Sequence, residues 1–171
     1  MTAEHLSFKA CVDVDYREHE AVSACLLFER WTSAQPTRTL IEHVSPVAPY
    51  VAGQFYRREL PCLLATLSQV IATLDVVVVD GYVWLGEGLH PGLGAYLYEV
   101  LGGQVAVIGV AKTAFRGAPA VEVRRGQSER PLYVTAVGMR PETAAQHIGE
   151  MHGEYHLPTL LRQVDQLCRR A

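Results

Sequence analysis

The chain has 171 residues, nearly half of them apolar and 19% charged, with a formal net charge of −3. That length suits a single domain with a sizeable core, and the charge content argues against a disordered chain. There is no basic excess to signal wholesale electrostatic attraction to nucleic acid.

The four cysteines, Cys11, Cys25, Cys62 and Cys168, form no CxxC pair, which argues against a zinc ribbon and for a reduced compartment. No stretch approaches the ~20 apolar residues of a membrane helix, and the first residues lack the basic-then-apolar order of a signal peptide. A cytoplasmic location without membrane contact is therefore expected. Of the fifteen basic residues only Lys9 and Lys112 are lysine. The arginine bias suits bidentate contacts to phosphate, though it also fits simple compositional drift.

In chain order, residues 6–16 alternate and carry Val12 and Val14, which predicts a strand. A second apolar run over 21–30 follows a polar turn, and 37–44 reads as a third strand. Three strands with short turns imply an antiparallel meander. Pro46, Pro49 and Gly53 then break the regularity. From Glu59 onward Leu60, Leu63, Leu64, Leu67 and Val70 recur at helical spacing, with Pro61 expected in the first turn.

Residues 75–80, four valines between two aspartates, predict a fully buried central strand. A glycine-rich loop over 81–94 leads to a short helix over 94–101. Strands are expected over 105–110, 121–125 and 132–137. One helix opens at Pro141-Glu142 and runs to about Tyr155, and a last one opens at Pro158 and ends near Arg170. The order predicts an α/β chain: a mixed sheet with helices on both faces, led by a three-strand meander. That matches the ribonuclease H-like arrangement among others.

Three carboxylates stand out. Asp13 lies in an otherwise apolar strand and shares one face with Asp15; a buried carboxylate there needs a partner or a metal. Asp80 ends the valine strand, where α/β proteins place their sites, although Asp-Gly is also a common turn. Glu59 opens a predicted helix, where an acid is also favoured by the helix dipole. Meeting at one sheet edge, the three form the oxygen cluster that a hard divalent cation takes. Lys112, just after a buried strand, is placed to reach the same edge and steady a phosphate. His147, His152 and His156 read as a solvated face, because His152-Gly-Glu-Tyr-His156 is not a zinc-protease motif.

Together, blocks of this sequence resemble the endonuclease V family. The Pro49–Pro61 block PYVAGQFYRRELP resembles that family's "PYIPG…FRE.P", and Asp75-Val-Val-Val-Val-Asp80-Gly81 its "D.V.VDG" strand. His90-Pro91 and Ile108-Gly-Val-Ala-Lys112 resemble its "HP" and "IGVAK". Pro131-Leu-Tyr-Val-Thr…Gly138 is similar to a later strand, Tyr155-His-Leu-Pro158…Arg162…Asp165 to the carboxyl-terminal "yRLPeP.R.AD", and Val12-Asp13-Val14 to the first "G.D" strand.

The resemblance implies a ribonuclease H-like fold and a Mg²⁺-dependent endonuclease, with Mn²⁺ as substitute. The expected substrate is DNA or RNA carrying deaminated bases, chiefly hypoxanthine. It implies that Asp13, Glu59 and Asp80 bind metal and catalyse, with Lys112 assisting at the phosphate. Tyr50 would be the wedge beside the lesion. Gly53, Gly81 and His90 would contact the extruded base. A monomer is favoured.

The chain is short and divergent for that family. Met139 stands after Gly138 where the family carries a histidine placed at its metal site, Tyr82 follows Gly81, and the loop to His90 is longer. Reduced cleavage is one expectation from Met139; a protein that binds nucleic acid without cutting is the alternative.

Overall fold

The computed structural model describes residues 7–49, 51, 52 and 54–171. Tyr50, Gly53 and Leu6 lie outside the described residues. Strands β1 (Phe8–Tyr16), β2 (Ala21–Phe28) and β3 (Arg38–Val44) come first, followed by helix α1 (Phe55–Leu67). Strand β4 (Leu74–Asp80) leads into a small hairpin of β5 (Trp84–Leu85) and β6 (His90–Pro91), then helix α2 (Leu93–Val100). Strands β7 (Ala106–Ala111), β8 (Val121–Val123) and β9 (Leu132–Val137) are followed by helices α3 (Pro141–Glu150) and α4 (Thr159–Arg170).

Seven strands form one mixed sheet in the order β3-β2-β1-β4-β7-β9-β8. β1, β4 and β7 are mutually parallel, and β2, β3, β9 and β8 are attached antiparallel. The expected leading meander is present. β4 is central and its four valines are all buried, as a strand covered on both faces requires.

Strand alternation sorts the side chains into two cores. Ala10, Val12, Cys25, Val77, Val79 and Val107 pack on the side of α1 and α2. Cys11, Val22, Leu26, Val78, Ile108 and Val134 pack with α3 and α4 on the other. A buried hydrogen bond at 3.1 Å between the Ser23 and Thr66 hydroxyls fixes α1 against β2.

Three expectations change. α1 begins at Phe55, so Pro61 lies inside the helix rather than in its first turn. Lacking an N–H, Pro61 leaves the Arg57 carbonyl without its helical donor, and Arg57 lies on the exposed side of the helix. His147 does not lie on a solvated face: its ring stacks on Trp31 at 4.6 Å between centroids, with an interplanar angle of 7°. The helix bearing it ends at Glu150, short of Tyr155. The loop over 81–94 gains order from the β5–β6 hairpin.

Candidate metal and nucleic-acid site

The three parallel strands end together, and that edge collects the acids. In register Val12 pairs with Val79, and Asp80 pairs with Val110. Asp13 and Asp80 therefore stand side by side one residue further on. Asp13 has the parity of Cys11, and Asp80 that of Val78, so both face the α3–α4 side. α1 approaches from the opposite face and presents Glu59 and Leu63, one helical turn apart, over the edge. α4 presents Asp165 and Arg169 from below.

The result is a pocket of about 240 Å3 lined by Asp13, Asp15, Tyr16, Glu59, Asp80 and Asp165, among others. A narrower cavity of about 30 Å3 adjoins it, bounded by Asp13, Asp80, Lys112, Leu157, Leu161 and Asp165. The four predicted site residues Asp13, Glu59, Asp80 and Lys112 are thus brought together by three strands and a helix.

Electrostatics mark the pocket as short of positive charge. Burial pushes the Asp13 carboxyl up to about 7 against a hydrogen bond from the Val14 amide, and Asp80 and Asp165 push it further. Glu59 is also pushed up to about 7, by burial first and then by Asp80, with Arg58 pulling the other way. Asp80 keeps its contact with solvent, yet the protein packed around the strand end raises its carboxyl too. Lys112 opposes that rise. Solvent screening makes the cost of ionising Asp80 in the fold a small one.

Among the described residues, no three of the His, Cys, Asp and Glu side chains converge tightly enough to clasp an ion. The acids line one pocket without meeting at a point, which corrects the expectation of a closed cluster. Asp13 spends one oxygen on the Val14 amide at 2.9 Å. The donor set nevertheless fits a hard cation. It consists of carboxylate oxygens only, on separate rigid elements, and each of the three expected acids is raised by its surroundings.

Asp165 was not singled out from the sequence, although it closes the carboxyl-terminal block. On the helix surface it looks like half of an i,i+4 pair with Arg169, and that pair is present at 3.1 Å. Its second role comes from α4 crossing β1, which brings it into the pocket beside Asp13, where its charge raises the Asp13 carboxyl further. Tyr16, also unremarked, lines the pocket, and the Arg58 guanidinium stacks 3.9 Å above its ring.

Gly81 follows Asp80 at φ +120° and donates its N–H to the Val110 carbonyl at 2.9 Å; it adjoins Asp80 in the chain but lines neither cavity. His90 is exposed on the β5–β6 hairpin and lines neither cavity.

Met139 is elsewhere. β9 runs antiparallel to β7, and Val137 pairs with Val107. The chain therefore leaves β9 at the opposite edge of the sheet, roughly five residues or ~16 Å from the level of Asp80. Met139 packs against the α3–α4 core. Any histidine at this position would also lie far from the carboxylates, so the expected link between Met139 and a weakened metal site does not hold.

Comparison with known proteins agrees with this architecture. The endonuclease V family model matches residues 2–139. Endonuclease V of Streptomyces avermitilis is 31% identical, over 94% of this chain and 78% of that protein. The Streptomyces coelicolor protein is 33% identical, over 94% and 77%. Among solved structures, a Ciona intestinalis endonuclease V in complex with a 24mer DNA containing an inosine followed by a ribo-adenosine superposes with a TM-score of 0.76. It is 17% identical, covering 96% of this chain and 85% of that one, a likeness of fold. With family match, relatives and fold in agreement, this chain belongs to the endonuclease V family.

Proposed function

We propose that the protein is a metal-dependent endonuclease that cleaves a phosphodiester near a deaminated base, hypoxanthine first, in DNA or RNA. The observation that carries this reading is the pocket at the ends of β1 and β4, lined together by Asp13, Glu59, Asp80 and Asp165 with too little positive charge to balance them. Family membership and the inosine-containing DNA held by the Ciona protein support the substrate class.

Asp13 and Asp80, adjacent on parallel strands, would hold Mg²⁺ or Mn²⁺, with Glu59 from α1 and Asp165 from α4 as further oxygen donors. A divalent ion bound there supplies a Lewis acid for the phosphate and lowers the pKa of water. Lys112, just past the end of β7 at the second cavity, neutralises charge on the phosphate as the leaving oxygen departs. Glu59 would bind that ion directly or orient the attacking water. Gly81 leaves the backbone beside Asp80 free of a side chain, so a base turned out of its stack has room to approach.

The test is cleavage of an inosine-containing oligonucleotide with Mg²⁺ or Mn²⁺, with EDTA as control. Asp80→Ala is expected to abolish cutting while the fold persists. Undiminished cleavage by that variant sinks the assignment. Salt-sensitive binding with no cleavage under either ion would leave a binding protein instead.

A further inference from the structure

Tyr155 has 65% of its surface exposed, more than any other large hydrophobic side chain among the described residues. It sits in the segment between α3 and α4, and an unusual investment holds that segment still. Arg125, only 5% exposed, donates to three carbonyls in it: Met151 at 2.5 Å, Gly153 at 3.1 Å and Tyr155 at 2.8 Å. Burying a guanidinium is costly unless its donors are used, and burial does lower its pKa. Three carbonyl acceptors offset that cost by ordering this one segment. Gly126, at φ +59°, lets the β8–β9 loop press against the Glu154 carbonyl, where any side chain would collide. An exposed aromatic ring on a segment fixed in this way is a platform rather than a loose end.

The platform stands beside the site. Leu157, two residues on, lines the cavity shared by Asp13, Asp80 and Lys112. Arg162, exposed on the first turn of α4, lies 5.6 Å from the centre of the Tyr155 ring, and it precedes Asp165 by three residues on the same helix face. An aromatic plane with a guanidinium against it, next to a phosphate-handling pocket, is the combination that captures single-stranded nucleic acid: bases stack on the ring and the backbone meets the cation.

We propose that Tyr155 and Arg162 form a stacking clamp for one unpaired nucleobase of the strand that enters the carboxylate pocket. The clamp rests on the nuclease reading for what enters that pocket, but its chemistry is separable from cleavage. It recognises a π face and a phosphate, so it is indifferent to which base it holds.

The experiment measures anisotropy of a labelled, inosine-free single-stranded oligonucleotide in EDTA, with wild type, Tyr155→Ala and Tyr155→Phe. Tyr155→Ala is expected to weaken binding by on the order of tenfold, and Tyr155→Phe to stay within about twofold of wild type, because the ring carries the contact. Thermal unfolding should be unchanged in both variants, since the side chain is exposed. Equal affinity for wild type and Tyr155→Ala overturns the clamp, as does an equal loss in the Phe variant, which would assign the contact to the hydroxyl. Inosine cleavage by Tyr155→Ala with unaltered KM would also remove the clamp while leaving the nuclease reading intact. Ring-dependent binding in a protein that cuts nothing with any divalent ion would do the reverse.

Discussion

Raising the pH should destabilise the metal-free protein through its own pocket. Asp13 and Glu59 start from 3.8 and 4.5 and are each held near 7 in the fold. Their folded pKa lies above the unfolded one, so between about pH 4 and pH 7 the folded state binds more protons. The stabilisation is complete below the unfolded values and is lost as pH climbs through 7. At ~1.4 kcal/mol per unit the full shift of either acid is worth roughly 4 kcal/mol. Both are half-buried and they share neighbours, so solvent screening leaves roughly 2 kcal/mol apiece. For a chain of this size that corresponds to a fall in Tm on the order of 5–15 °C for the pair. The assay is urea or thermal unfolding in EDTA from pH 5 to pH 8.5, for wild type and an Asp13→Asn/Glu59→Gln double variant. The amide variant has nothing to ionise, so its curve should be flatter by about that amount, and Mg²⁺ at pH 8 should raise only the wild type. Parallel pH curves for the two proteins would refute the claim that these carboxyls are strained by their surroundings.

Other outcomes follow from single contacts. Asp165→Asn should reduce cleavage at limiting Mg²⁺ by roughly 10–100-fold, with part of the loss recovered at high metal, as expected when one oxygen donor is weakened. Met139→His should leave cleavage within about twofold of wild type, because the position lies ~16 Å from Asp80 along the sheet; a large gain would show the register reading to be in error. Arg125→Met strips the α3–α4 segment of three charge-assisted hydrogen bonds and should cost ~3 kcal/mol in chemical unfolding, with faster amide exchange over residues 151–157. Gly138→Ala should be destabilising by ~1–3 kcal/mol, since φ is +80° and the added Cβ would stand 2.8 Å from the Tyr98 ring.

What the sequence made legible was whatever period and local chemistry encode. The four valines of β4 announce a strand covered on both faces, and its two flanking aspartates mark where the apolar run stops. Alternation in β1 puts Asp13 on the face of Cys11, and the same count in β4 puts Asp80 on the face of Val78, so their pairing needs only the parallel register to complete it. Direction and crossing are not encoded that way. Nothing local in Leu132–Val137 tells that the strand runs antiparallel to β7, yet that reversal alone carries Met139 to the far edge. Asp165 has a sufficient local explanation in its bond to Arg169, and a carboxylate with a local partner gives no hint of a second role. That role exists because α4 lies across β1, a long-range contact fixed by Leu160, Leu161, Val164 and Cys168 packing into the core that Cys11 and Leu26 share. Each acid of the pocket is thus ordinary in its own segment, and the excess of negative charge belongs to the topology that assembles them. Substitutions that shift α4 along β1 should therefore disturb the pocket as much as substitutions within it. Leu160, fully buried beneath Asp165's own helix and with its carbonyl facing the Cys11 thiol at 3.6 Å, is the residue on which that placement turns.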